Sequence, residues 1–253
     1  MREESENLPV LISIVTPSFN AADTLMRCIG SVKAQTVSYW EHIIVDDASS
    51  DSSYAITTEA AQRDSRIRPA RLEQNSGAGA ARNKAIEMAR GRYIAFLDAD
   101  DEWYPQKLER QIAFMQKTKA AFSYTGFVHQ SDSGAYSVSV PPRTNYRSLL
   151  KNNVIGCLTV IYDTEQLGKV YMPLIRRRQD YALWLDLLKR TDHAYGLNEP
   201  LAIYNVSADS LSGSKWQANL GIWRMLRDVE KINIVMATYY TVVSRLNRLL
   251  RPR

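Results

Sequence analysis

Asp98 and Asp100 stand two residues apart at the end of the apolar run 93–97. Where a strand delivers such a D-x-D pair, both carboxylates leave the chain on the same side. Paired oxygens of this kind suit a hard cation: Mg²⁺ or Mn²⁺ takes one or two carboxylates and completes its shell with phosphate oxygens and water. A cation held in this way is a Lewis acid for a departing diphosphate. The same acids, with Asp101 beside them, would also serve to cap a helix opening near Pro105, and the pair alone leaves both roles open.

Other groups are spaced to join them. Asp46 and Asp47 follow the apolar run 42–45 and precede the turn-rich segment 48–51, so they either accept hydrogen bonds at a strand exit or cap the next helix. Arg82 comes after Asn75-Ser76-Gly77-Ala78-Gly79; its planar guanidinium matches anionic oxygens, or else closes a structural salt bridge. Gly77 and Gly79 approach a dinucleotide-binding fingerprint, but the third glycine is missing and the turn lies far from the first strand.

Positioning these groups requires strand ends. Residues 11–15 form a short apolar, β-branched run that reads as a strand buried on both faces and broken by Pro17 and Asn20. Leu25, Ile29 and Val32 mark the buried face of a helix with Asp23 as its N-cap. Strand 42–45, helix 52–63 and a weak strand near Ile67 follow. An alanine-rich helix comes next, with the stripe Ala81, Ala85, Met88 and Ala89 and with Gly91 as its C′ residue, and then strand 93–97. Later elements are a helix to about 117, strands 121–128, 159–162 and 201–204, and a helix at 181–188. Strict alternation predicts an α/β, mainly parallel, doubly wound sheet with helices on both faces, in which ligands sit at the C-terminal strand ends. All the acidic pairs fall there.

A chain of 253 residues with 45% hydrophobic composition has enough material for one α/β core. Residues 1–8 lack the basic start and apolar run of a secretory signal, and Cys28 and Cys157 form no C-x-x-C pair, so a cytoplasmic, reducing setting is expected. The net charge of +5 is concentrated at the end, where Arg245, Arg248, Arg251 and Arg253 have no acid among them. No nucleic-acid signature accompanies them, so nucleic acid is excluded as the expected partner and anionic lipid preferred.

In order along the chain, Thr16-Pro17-Ser18-Phe19-Asn20, Val45-Asp46-Asp47-Ala48-Ser49-Ser50-Asp51, Asn75-Ser76-Gly77 with Ala81-Arg82-Asn83, and Phe96-Leu97-Asp98-Ala99-Asp100-Asp101 resemble family 2 of the inverting glycosyltransferases. The match is dense over about 10–110, and its nearest likeness is to members that build bacterial surface polysaccharides such as teichuronic acid. The resemblance implies a GT-A fold, a nucleotide-sugar donor, expected to be a UDP-sugar, a divalent Mn or Mg ion and a saccharide or lipid-linked hydroxyl acceptor. Residues 10–215 would form the catalytic domain, with a donor half at about 10–104 and an acceptor half at about 105–215. A polar tail, 1–9, would precede it, and a helical segment, 216–253, would follow.

Carried over by motif, Pro17, Ser18, Phe19 and Asn20 would line the nucleoside pocket. One or both of Asp46 and Asp47 would take hydrogen bonds from base or ribose. Arg82 would face the ribose-diphosphate, Asp98 would contact ribose or metal, and Asp100 would ligate the metal. Asp180 would be the general base, opening a run that resembles the family's second acidic motif, although Gln179 stands where an acid is usual. As an alternative, Asp180 caps the helix it begins. Arg176-Arg177-Arg178 would neutralise diphosphate or form a solvated face. Asp209-Ser210-Leu211-Ser212 with Lys215 resembles a loop that closes over the donor, and Tyr204-Asn205 departs from the usual Tyr-Arg before it.

From Ile232 onward, Val235, Tyr239, Val242, Leu246 and Leu249 give one apolar face on a C-terminal amphipathic helix. That face would lie on the inner leaflet of the plasma membrane, dock on the protein's own core, or pair with a second subunit. Two other functions fit the acidic pattern. One is a sugar nucleotidyltransferase, which would carry a glycine-, arginine- and lysine-containing signature absent from 16–21. The other is a noncatalytic nucleotide-sugar-binding subunit that recruits a partner to the membrane, for which Asp180 is superfluous.

Overall fold

The computed structural model describes residues 11–206 and 215–249, so the polar tail 1–9 and the loop Asp209-Ser210-Leu211-Ser212 lie outside the described residues. The first half alternates as its apolar runs dictate: β1 (Ile12–Ser18), α1 (Ala22–Lys33), β2 (Trp40–Asp46), α2 (Ser53–Arg63), β3 (Ile67–Arg71), α3 (Ala78–Met88) and β4 (Tyr93–Phe96). Then come β5 (Glu102–Trp103), α4 (Lys107–Thr118), the hairpin of β6 (Phe122–Ser131) and β7 (Gly134–Val138), β8 (Arg143–Thr144) and α5 (Tyr146–Lys151). A 3₁₀ turn at Cys157–Thr159 leads to β9 (Ile161–Asp163), α6 (Thr164–Leu167), α7 (Gln179–Arg190) and β10 (Ala194–Asn205). After the undescribed loop, α8 (Lys215–Arg224), a π-type turn Met225–Val229 and α9 (Ile234–Leu249) follow.

The strands form one sheet in the order β3-β2-β1-β4-β9-β6-β10-β5, with β7 on β6 and β8 on β10. β1 lies between β2 and β4, parallel to both. The chain runs outward to β3 on one side of β1 and returns to β4 on the other. That reversal opens a crevice at the C-terminal ends of β1 and β4, the usual ligand position in such sheets. Beyond β4 the pattern is mixed, because the short β9 runs antiparallel to both β4 and β6, while β6 and β10 are parallel.

Period-two alternation puts helices on both faces. Val15, Ile43, Val45, Ile94 and Phe96 pack with Ala81, Ala85 and Trp184 on one side. Ile12, Ile14, Ala95 and Leu97 pack with Cys28, Val32, Leu108 and Ile112 on the other. Trp184 of α7 packs edge-on against Phe96, with ring centroids 5.3 Å apart, and lies 5.8 Å from Phe122. Aromatic pairs of this kind contribute about 0.5–1.5 kcal/mol beyond their buried area. They lock α7 beneath the end of β4.

Some local expectations are corrected. β1 continues through Pro17 instead of breaking there. Val15 and Pro17 face the β4 side, and since β4 ends at Phe96 the missing proline N–H interrupts no ladder bond. Asp23 does not cap α1; it lies in the first turn, and the cap position is Ala21. The amides there are satisfied from a distance, Ala21 N–H by Ser53 Oγ at 2.8 Å and Ala22 N–H by Asp51 Oδ2 at 3.0 Å. Gly91 is not a left-handed C′ residue, since α3 ends through an extended Ala89. Its need for glycine comes from β1: an added Cβ would lie 2.7 Å from the Ser13 amide nitrogen.

The apolar stripe of α9 does not dock on the protein's own core. Val235, Tyr239, Val242 and Leu246 are 72%, 47%, 51% and 51% exposed. The helix is held by its opposite face, where Ala237 and Ser244 are buried, and Asn247 Nδ2 donates to the Lys151 carbonyl at the end of α5. Among the described residues, no helix is long and apolar enough to cross a membrane.

Candidate active site

At the exits of β1 and β2, Ser18 and Asp46 are register partners. Asp46 is buried; its Oδ2 accepts the Ser49 amide at 3.0 Å and pairs with Arg71 Nε at 3.2 Å. Its Oδ1 and the buried Ser18 Oγ have no partner. Desolvated polar atoms without a bond cost free energy, so this pair marks a place where a ligand with hydrogen-bonding groups would be stabilised. Asp47 braces the glycine-rich turn: its Oδ1 accepts Ser76 N–H at 2.7 Å and its Oδ2 accepts Gly77 N–H at 2.8 Å. Each carboxylate oxygen keeps a second lone pair. Gly77 has φ +88, a conformation that favours glycine and that lets two successive amides reach Asp47.

Phe19 is half-exposed beside these groups, and Asn20 turns the chain with φ 47 while its Oδ1 accepts the Ser50 amide. Ala48 and Arg178 also have positive φ, 58 and 67. Left-handed conformations in non-glycine residues cost on the order of 1 kcal/mol and concentrate at working sites. Asn20, Ala48 and Arg178 adjoin the strand-exit carboxylates and Gln179-Asp180, whereas Lys119 and Lys231, with φ 55 each, lie elsewhere, Lys119 at the end of α4. The expected capping role of Asp46 and Asp47 is not found: α2 has Ser52 at its cap position, and its first amide, that of Ser53, is served by Asp51.

Asp98 leaves β4 and meets Arg82, whose Nη2 donates to its Oδ1 at 2.5 Å. Arg82 therefore does form a salt bridge, but its buried Nε remains unpartnered. Burial works against its charge, yet Asp98, Cys157 and Asp180 carry its pKa above the ordinary value. Burial raises the carboxyl of Asp100, reinforced by Asp98. The buried Asp101 is pushed well above the usual carboxylate range by the same two causes, with Asp100 adding to them. None of these acids caps α4, whose cap position is Gln106 without a side-chain bond. Their strain is electrostatic, several negative charges crowded at a partly dehydrated strand end.

A divalent cation would relieve that repulsion, and the donor set fits one: hard carboxylate oxygens, with Asp100 free of any hydrogen bond from another described residue. Among the described residues no group of three His, Cys, Asp or Glu could enclose a metal.

Two groups that sequence reasoning missed hold this segment. Arg27 of α1 pairs with Glu102 at 2.9 Å and donates to the Asp100 carbonyl. Asn205, at the end of β10, donates its N–H to Asp101 Oδ1 at 3.0 Å and its Nδ2 to the Asp100 carbonyl at 2.9 Å. The departure from Tyr-Arg had been a signal that this position acts differently. Arg27 had none, being a single exposed cation on a helix.

Asp180 lies in the first turn of α7, two residues after the cap position Arg178, so it is not the N-cap. Trp184, one turn on, packs on Phe96, two residues before Asp98. This brings Asp180 into electrostatic reach of Arg82, Cys157 and Tyr204. Gln179 packs against Gly79 at the start of α3, and its buried Oε1 has no partner. Arg82, Asp98 and Asp180 thus lie within electrostatic reach at the end of β4, and Ser18, Asp46 and Asp47 stand at the neighbouring exits of β1 and β2. Two cavities of about 380 and 390 Å³ elsewhere are lined by none of them.

A family model described as Glycosyl transferase family 2 matches residues 13–164. A putative teichuronic acid biosynthesis glycosyltransferase, TuaG, of Bacillus subtilis (strain 168) is 45% identical, over 92% of this chain and 94% of its own. An Escherichia coli protein, the UDP-Glc:alpha-D-GlcNAc-diphosphoundecaprenol beta-1,3-glucosyltransferase WfgD, is 38% identical over 91% of this chain and 90% of its own. Among solved structures, the mannosyltransferase PcManGT of Pyrobaculum calidifontis in complex with GDP-Man and Mn²⁺ superposes with a TM-score of 0.70. It is 12% identical and covers 96% of this chain and 74% of its own, which establishes the shared fold.

Proposed function

Because this chain belongs to glycosyl transferase family 2 and has the GT-A fold, we propose that it transfers a sugar, with inversion, from a UDP-sugar to a hydroxyl of a saccharide or lipid-linked acceptor in bacterial surface polysaccharide synthesis. Family membership sets aside the sugar nucleotidyltransferase reading. The observation that carries the proposal is the convergence of Asp98, Asp100, Arg82 and Asp180 at one strand-end crevice, beside the unpartnered Ser18 Oγ and Asp46 Oδ1. WfgD is named for a UDP-Glc donor and an α-D-GlcNAc-diphosphoundecaprenol acceptor, which supports both substrate classes.

In this reading Pro17, Ser18, Phe19 and Asn20 receive the nucleoside, and Asp46 and Asp47 accept from base or ribose. Arg82, already bound to Asp98, turns its remaining N–H groups toward the diphosphate. Asp100, with Asp98, would hold a Mn or Mg ion; when bound, the ion supplies Lewis-acid stabilisation of the negative charge on the departing diphosphate. Asp180 accepts the proton of the acceptor hydroxyl as its oxygen bonds to the anomeric carbon. The bond from that carbon to the diphosphate breaks on the opposite face, and nucleoside diphosphate leaves. Purified protein supplied with a panel of UDP-sugars, Mn²⁺ or Mg²⁺ and a short-chain analogue of a GlcNAc-diphosphoryl lipid is expected to release UDP with at least one donor. GDP-sugars accepted in preference to every UDP-sugar would overturn the donor assignment.

The exposed stripe of α9 fits the same role as a surface for the inner leaflet. Arg245 on the same helix is exposed, and each cation near an anionic surface adds about 1 kcal/mol. The full chain is expected to float with phosphatidylglycerol-containing vesicles, and a Val242→Asp, Leu246→Asp variant is expected to stay in the aqueous fraction. Equal flotation of the two would remove the membrane assignment, and loss of a dimer in the variant would point to a second subunit.

A further inference from the structure

Tyr136 of β7, His129 of β6 and Tyr204 of β10 form a row that the transfer chemistry does not use. His129 is the register partner of both tyrosines, so the three side chains occupy neighbouring positions on one face of three adjacent strands. The His129 and Tyr136 rings stack with centroids 4.7 Å apart, and Tyr204 lies 5.7 Å from His129. Phe127, two residues before His129 on the same face, meets Tyr204 edge-on at 6.3 Å. At its outer end the row is open, with Tyr136 51% exposed. At its inner end Tyr204 immediately precedes Asn205, whose hydrogen bonds hold Asp100 and Asp101. His129 Nδ1 is buried and has no partner.

We infer that this aromatic row is the acceptor-saccharide subsite, in which a pyranose ring stacks its C–H face on the open outer face of Tyr136 while His129 bonds its hydroxyl rim. The inference rests on the glycosyltransferase reading and deepens it. The stacked faces of His129 and Tyr136 cover each other, so the open flat surface is the outer face of the half-exposed Tyr136, room for one sugar ring. Flat apolar walls carrying a few polar groups suit a saccharide. The donor is not the occupant, because the candidate nucleoside residues lie at β1 and β2, on the other side of β4 in the sheet order. The acidic segment lies between the two, where a donor and an acceptor must meet.

The test uses the full chain loaded with UDP and Mn²⁺, titrated with methyl glycosides of glucose, N-acetylglucosamine and galactose and with their disaccharides, read by saturation-transfer NMR. At least one sugar is expected to receive saturation from aromatic protons. Tyr136→Ala should weaken its binding about five- to tenfold, Tyr136→Phe should keep it within about twofold, and UDP affinity should stay unchanged in both. His129→Phe, which preserves the stack and removes the nitrogens, should weaken binding about threefold. Unchanged sugar binding in Tyr136→Ala, or no sugar binding by a protein that binds UDP, would overturn the subsite alone. Failure of the wild-type protein to bind UDP would overturn the donor reading and this inference with it.

Discussion

Asp100→Ala is expected to slow sugar transfer by at least about 10³-fold, roughly 4 kcal/mol of transition-state stabilisation, and to abolish the dependence of UDP binding on Mn²⁺. Its fold should be untouched. The Asp100 side chain takes no hydrogen bond from another described residue, and burial and Asp98 already raise its carboxyl. Removing one of several crowded charges therefore relieves repulsion, and the melting temperature should hold or rise slightly. The outcome separates a ligand from a structural acid, because loss of a structural acid would lower stability and activity together. Initial rates and calorimetric titration of UDP with and without Mn²⁺ decide it. Transfer within tenfold of wild type, with metal dependence retained, would remove Asp100 from the metal site.

Asp180→Asn is expected to lower the rate by about 10²- to 10⁴-fold while leaving donor affinity in place. Asparagine keeps the size of the side chain, and the buried Tyr181, Leu183 and Trp184 continue to anchor α7. The loss therefore belongs to proton transfer and not to helix position. It should appear in kcat at saturating acceptor, with an unchanged dissociation constant for UDP. Transfer at the wild-type rate would require a different base, and a lost affinity for UDP would mean that Asp180 binds donor.

What could be read from the residues follows what is local. β1, β2 and β4 were legible because strands buried on two faces must be continuously apolar, and Asp98 followed because a strand end is local too. The convergence of Asp180 with Asp98 was legible only through resemblance to a family. Its physical cause is Trp184 against Phe96, a contact that no periodicity announces. The same limit explains the corrections. Asp23 looked like a cap, but Asp51 and Ser53, at the entry to α2, serve those amides from 29 and 32 residues away. Gly91 looked like a helix stop, but β1 crowds it. The strand expected at 159–162 is present as β9, but its antiparallel place between β4 and β6 was not legible, because three residues carry no sign of direction or neighbour.

Asn205 reaches the acidic segment across 104 and 105 positions of chain. Contacts so distant in sequence close late, since most of the intervening chain must be ordered before they form. A nascent or clipped polypeptide that ends before β10 carries Asp46, Asp98, Asp100 and Asp180 and keeps the Arg82 and Arg27 contacts, yet lacks the Asn205 bonds that fix the Asp100–Asp101 segment. Competence is thus tied to completion of the sheet. A chain cut before β10 is therefore expected to fold its first strands while the Asp100–Asp101 segment lacks its last hold.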